Sequence, residues 1–187
     1  MTTNVKKVAL AVATCSVLAF SAASQAADVH FTGAVTSVTC NLESVGANGA
    51  VTPEIQLGTI APGETTNGAE VKFSLRPSAT CAAKGADITW TSGSLTQAGI
   101  GNDGTAGGVH IELKPLSTGA TIADGSAVKA NDAIRSGFTT VRYGTTEATG
   151  ADITAPFEYS AQLMRNAGET QSAGTVSSTA TYTVAYY

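Results

Sequence analysis

The sequence predicts an all-β domain, and three observations carry that expectation. From residue 27 onward no segment sustains a helical period, several segments alternate strictly between apolar and polar residues, and Gly, Pro, Asp and Ser clusters separate them at short intervals. Two cysteines, Cys40 and Cys81, lie in this region, and a third, Cys15, precedes it. Many short strands, frequent turns and one pair of cysteines able to bridge them point to an immunoglobulin-like sandwich.

Residues 1–26 stand apart. Lys6 and Lys7 precede an apolar run from Val8 to Phe20, and Ser24-Gln25-Ala26 puts small residues at the two positions a signal peptidase reads. The reading is a secretory signal peptide over 1–26, with residues 27–187 as one exported domain. The run is too short to cross a hydrocarbon layer of about 30 Å as a stable helix. Removing the leader removes Cys15, and in an oxidising compartment Cys40 and Cys81 then have a single intramolecular pairing open to them.

Residues 27–40, ADVHFTGAVTSVTC, form a short alternating stretch with Val29, Phe31, Gly33 and Val35 on one side and His30, Thr32 and Ala34 on the other. Taken alone this is either the first strand of the sandwich or an arm that leaves its own domain. Ile55, Leu57 and Ile60 predict a strand closed by Ala61-Pro62-Gly63. The clearest strand is residues 69–76, with Ala69, Val71, Phe73 and Leu75 pointing one way, Glu70, Lys72, Ser74 and Arg76 the other, and Pro77 ending it. Residues 87–95 carry Ile88 and Trp90, the single tryptophan and the expected largest core side chain. After a glycine-rich loop at 99–108, Val109, Ile111 and Leu113 begin a strand that stops near Pro115. Residues 123–126 read as a hairpin turn. A short strand is expected around Phe138 and Val141, another through Phe157, Tyr159, Ala161 and Leu163. A last strand at 178–187 has Ala180, Tyr182, Val184 and Tyr186 on one face.

All 14 acidic residues but only eight of the ten Lys and Arg lie beyond residue 26, a net charge of about −6 that disfavours nucleic acid and anionic membranes as partners. Charged residues make up 13% of the chain, about half the usual share, and Thr, Ser, Ala and Gly replace them. Such a surface suits packing of chain on chain.

No constellation for catalysis or cofactor binding stands out, so no enzyme activity, cofactor or metal is expected. Gly99, Gly101 and Gly104 match a GxGxxG spacing, but a β-strand follows where a phosphate-binding helix would be required, and a mobile loop is the expected state. His30 and His110 lie on outward strand positions without a neighbouring nucleophile. Asp103, Asp124 and Asp132 lack the spacing of a calcium loop and read as turn residues. Cys40 and Cys81 make no CxxC and read as structural.

With the leader, the alternating stretch, the two cysteines and the final strand TATYTVAYY, the mature chain resembles the pilin subunits of chaperone-usher fimbriae. The segments VKFSLRPSATC, DITWTSGS and FEYSAQLM look most similar to the major subunit of sialic-acid-binding enterotoxigenic fimbriae. The resemblance implies a sandwich lacking its seventh strand, whose groove is filled first by a periplasmic chaperone and then, at the outer-membrane usher, by the arm of an identical or related subunit. Donor-strand exchange is a form of recognition by strand addition, in which an extended segment completes an exposed sheet edge. Residues 27–39 would then be the donor arm, with Val29, Phe31, Gly33 and Val35 as donor positions. Tyr182, Val184 and Tyr186 would form the acceptor edge. The function implied is a structural subunit of a cell-surface fimbria mediating adhesion. The alternative is that the subunit itself binds host glycans, for which Lys129, Arg135, Arg142 and Arg165 offer cations able to pair with an acidic sugar.

Overall fold

The computed structural model describes residues 40–78, 81–117, 127–144 and 153–186. Among them are eight strands and no helix: β1 Leu42–Gly46, β2 Val71–Pro77, β3 Gly85–Thr91, β4 Ile100–Gly101, β5 Val109–Pro115, β6 Thr140–Gly144, β7 Phe157–Arg165 and β8 Thr181–Tyr186. The alternating segments pair antiparallel throughout, giving one sheet in the order β1-β2-β7-β5-β4 and a second in the order β6-β3-β8. Phe73 and Leu75 of β2, Leu113 of β5 and Phe157, Tyr159 and Ala161 of β7 face Ile88 and Trp90 of β3 and Val141 and Tyr143 of β6 across one core. This is the immunoglobulin-like sandwich expected from the alternation, because each period-two strand presents one apolar side and two such sheets bury each other's. Trp90 packs edge-on against Tyr159, ring centroids 5.2 Å apart, and against Phe73 at 6.4 Å.

Cys40 and Cys81 are joined by a disulfide, as the residue count required. It lies at the end of the sandwich where β1 begins and β2 ends.

Two expectations need correction. Residues 55–60 do not form a strand, for no ladder partner lies beside them among the described residues; Ile55 and Leu57 instead rest half-buried against the core edge. The glycine-rich segment is held rather than loose. The Asn102 side chain donates to the Ala106 carbonyl at 2.8 Å and accepts from the Gly104 and Ser177 amides, each at 2.9 Å. Asp103 N–H donates to the Ser177 carbonyl at 2.8 Å and Ala106 N–H to that of Thr175 at 3.0 Å. A Cβ at Gly104 would overlap the Thr175 carbonyl, so the glycine is there to let two backbones meet. The turn expected at 123–126 and all of residues 1–39 lie outside the described residues.

The edges of the two sheets are treated differently. Beyond β1, Val51 bridges Val45 and Thr52 N–H donates to Ser44 at 2.9 Å; beyond β4, Gly101 N–H donates to Ser94 at 2.8 Å. Beyond β6, Val128 N–H donates to Thr140, and the same segment continues to β5, where Ile134 N–H donates to Leu113, both at 2.8 Å. Residues 128–134 thus close one side of the sandwich and bury Val128 and Ile134. The opposite side, beside β8, has no such strap among the described residues.

An open edge and the groove beside it

Beyond β8 no backbone partner lies among the described residues, and β3 is its only ladder neighbour. Every second residue of an edge strand points its N–H and C=O outward, so this strand carries unpaired main-chain groups along its length. Facing it are residues 55–60, whose backbone also makes no hydrogen bond to another backbone group among the described residues. Between the two runs a groove of about 790 Å³, walled by 53–58 on one side and by 176–180 and Tyr182 on the other. Its floor is the core itself: Phe73, Leu75, Trp90, Ile111, Leu113 and Ala161 line it, and Glu54 is the one charged residue in the lining. The cleft is therefore apolar below and hydrogen-bonding on both walls, which is what an extended strand with alternating apolar side chains needs.

The three residues expected along the acceptor edge fall at different points. Tyr182 lines the groove and packs on Trp90, centroids 5.3 Å apart. Val184 is half-buried against the core. Tyr186 turns to the disulfide end, packs on Cys40 and Cys81, and donates its hydroxyl to the Cys40 carbonyl at 2.9 Å. Burial raises the pKa of both tyrosines, and at Tyr186 the neighbouring Tyr182 adds to the rise. The donor positions Val29, Phe31, Gly33 and Val35 lie outside the described residues.

The four candidate glycan contacts are not gathered at one place. Arg142 on β6 makes a bidentate pair with Asp87 directly across on β3, at 2.7 and 2.6 Å. Arg165 ends β7 in the other sheet and donates to the Thr65 carbonyl at 3.0 Å. Lys129 is exposed on the strap. Arg135 lies with its guanidinium 4.3 Å over the ring of Phe138, which is 37% exposed. His110, expected as a solvated residue, is half-buried and hydrogen-bonded through Nδ1 to Asn166 at 2.7 Å.

Sequence reasoning missed the wall at 53–58 and the irregular wall at 176–180. The signal for the first was present in the alternation of Ile55 and Leu57, but alternation does not say whether a strand has a neighbour.

Among the described residues, fold and groove together define a β-sandwich open along one side, with β8 paired on one edge alone. Across 178 residues the chain is 38% identical to the F107 fimbrial protein of Escherichia coli, an alignment that spans 91% of this chain and 92% of the relative. The chain belongs to the fimbrial proteins. No family model matches it.

Proposed function

We propose that this fimbrial subunit polymerises by donor-strand exchange: the groove beside β8 receives residues 27–39 of a neighbouring subunit, with Val29, Phe31, Gly33 and Val35 toward the floor. The observation that carries this reading is the contrast among sheet edges: among the described residues β1, β4 and β6 are each covered by a strap and β8 is not. A monomer with a bare, uncharged edge over an apolar cleft is an aggregation hazard, and a strand supplied from elsewhere removes it. Burying three apolar side chains at about 1.5–3 kcal/mol each, with ladder hydrogen bonds on both sides, accounts for a durable joint. Before assembly a periplasmic chaperone covers the same groove and hands the subunit to an outer-membrane usher. The assembled fimbria serves adhesion at the cell surface, and the subunit's role in it is structural rather than catalytic.

The test mixes a chaperone-subunit complex with synthetic peptides of residues 27–39, wild type and Gly33→Leu. The wild-type peptide is expected to displace the chaperone and the leucine peptide to fail, because overpacking a filled site costs about 1–3 kcal/mol. Equal displacement by both would remove Gly33 from the groove; no displacement by either would overturn strand exchange.

A second reading, that the subunit itself binds host glycans, is favoured by one feature. Arg135 and Phe138 present a cation and an exposed ring side by side, with Gln97 accepting from the guanidinium at 3.4 Å. A ring stacks on a sugar face while a guanidinium takes a carboxylate. Fibres carrying Arg135→Ala, tested on sialylated and neuraminidase-treated targets, separate this reading from a purely structural role.

A further inference from the structure

Six asparagines lie among the described residues, and two of them precede glycine, Asn48-Gly49 and Asn67-Gly68. Asparagine before glycine is the pair in which the following backbone nitrogen most readily attacks the side-chain amide, because no Cβ shields that nitrogen. In an unfolded chain the two sites are equivalent; the fold makes them unlike. Asn48 stands at the tip of the hairpin that straps β1, where Gly46 N–H donates to the Ala50 carbonyl and Gly49 N–H to the Gly46 carbonyl, each at 2.9 Å, and Gly49 takes a φ of 79°. Residues 47–50 are exposed, and a Cβ built on Gly49 would meet nothing within 4 Å. Ala50 N–H donates to Asn48 Oδ1 at 3.1 Å, so the side chain closes a ring around the Gly49 peptide that contains both the Asn48 Cγ and the Gly49 nitrogen. Asn67 is bound elsewhere. Its Oδ1 accepts from the Arg165 N–H of β7 at 3.2 Å, while Gly68 N–H donates to the Leu163 carbonyl and the Gly68 carbonyl accepts from Gln162 Nε2, both at 2.8 Å. Gly68 is buried, and a Cβ on it would lie 3.1 Å from that of Leu163.

We propose that Asn48 is a site of spontaneous deamidation in the folded subunit and that Asn67 is shielded from the same reaction. The Gly49 nitrogen, its proton taken by hydroxide, attacks the Asn48 Cγ; a bond forms between them, the bond from Cγ to Nδ2 breaks, and the nitrogen leaves as ammonia with protons from water. The product is a succinimide. Water then opens it at either carbonyl, giving aspartate at 48 or an isoaspartate through which the main chain runs by way of Cβ and Cγ. The balance is one water in and one ammonia out, with no oxidant or reductant. Reaching the ring requires only that the Gly49 N–H release its turn bond, and an exposed turn opens at low cost. At Asn67 the same attack requires the Gly68 N–H to leave Leu163 and the side chain to leave Arg165, which means opening the segment away from β7. Conversion puts a carboxylate on a hairpin whose residues 45–53 carry no charge. Aspartate still accepts from the Ala50 N–H, whereas isoaspartate adds a backbone atom to a turn in which Gly46 bonds both Gly49 and Ala50.

Purified fibres of the full mature chain are held in mildly alkaline buffer, in parallel with the same chain reduced and unfolded in urea, and peptide mapping by mass spectrometry follows both Asn-Gly pairs over time. In the fibres Asn48 is expected to convert roughly tenfold or more faster than Asn67, whereas in the unfolded chain the two rates should agree within about twofold. Equal rates in the fibres, a faster Asn67, or an Asn48 that stays intact in the fibres while it converts in urea would each overturn the proposal. Asn48→Ser supplies the second measurement, since a serine hydroxyl also accepts from the residue two positions on and so suits the same turn. Isoelectric focusing of aged wild-type protein is expected to show a growing acidic band that runs with fresh Asn48→Asp and is missing from aged Asn48→Ser. An acidic band that grows as fast in Asn48→Ser would place the reaction at another residue and refute the assignment.

Discussion

Tyr159 is fully buried at the centre of the core, where its hydroxyl, the Tyr143 hydroxyl and the Trp90 Nε1 lie beside one another without a hydrogen bond of good geometry among them. Burial pushes the Tyr159 pKa up to about 12 and that of Tyr143 up as well. A phenol whose folded pKa is raised stabilises the fold fully below its unfolded value of about 10, and that contribution is lost as pH rises through the folded value. For Tyr159 the window is pH 10 to about 12, and the linked loss is roughly 2–3 kcal/mol. Tyr159→Phe is expected to flatten part of this alkaline loss while leaving stability at pH 8 within about 1 kcal/mol of wild type, because its hydroxyl gives up only poorly aligned contacts with Tyr143 and Trp90. Urea midpoints at pH 8 and 11.5 measure both, and a large loss at pH 8 would show that the hydroxyl is bonded after all.

At the scale of elements, the contrast between β8 and its neighbours sets an order of protection. Among the described residues β3 is paired on both sides, by β6 and β8, and β7 by β2 and β5, whereas β8 has one ladder and residues 55–60 have none. Amide exchange follows local opening, and a strand paired on one side opens more readily than a central one. In the chaperone-free subunit, exchange at β8 and 55–60 is expected to be faster than at β3 and β7. The same amides should slow once a strand peptide or polymerisation fills the groove. Protection that rises at β3 and β7 instead would place the incoming strand elsewhere. The wall at 172–178 depends in turn on Gly104 and Gly174, where backbones touch, so the groove's far end is shaped by the glycine-rich segment rather than by β8 itself.

For the whole molecule, the disulfide ties the start of β1 to the segment after β2 across a sequence separation of 41. Closing a loop of that size is worth about 4 kcal/mol on the chain-entropy model. The pairings it supports are remote in sequence, β2 with β7 and β3 with β8 among them, and such topologies fold slowly. Cys81→Ser is therefore expected to lower the yield of folded subunit and shift its urea midpoint by an amount corresponding to roughly 4 kcal/mol, without changing which peptide the surviving protein binds. A variant with normal yield and midpoint would show that the core holds this end unaided.

The sequence alone determined the class of the fold, the cysteine pair and the strands β2, β3, β5 and β7, because period-two alternation and residue type are local properties that burial on one side imposes directly. It also located the last strand and its apolar face. It did not distinguish 55–60, which alternates like a strand, from a strand with a partner. Nor did it foresee that Tyr186 would serve the disulfide end, that Arg142 and Arg165 would be engaged with Asp87 and Thr65, or that the glycine-rich segment would be clasped to 172–178. Those outcomes depend on which distant segments become neighbours, and a ladder, an ion pair or an open edge exists only between two partners. Only the tertiary structure decided that, among the described residues, three sheet edges are strapped and one is not, and that difference shapes the groove.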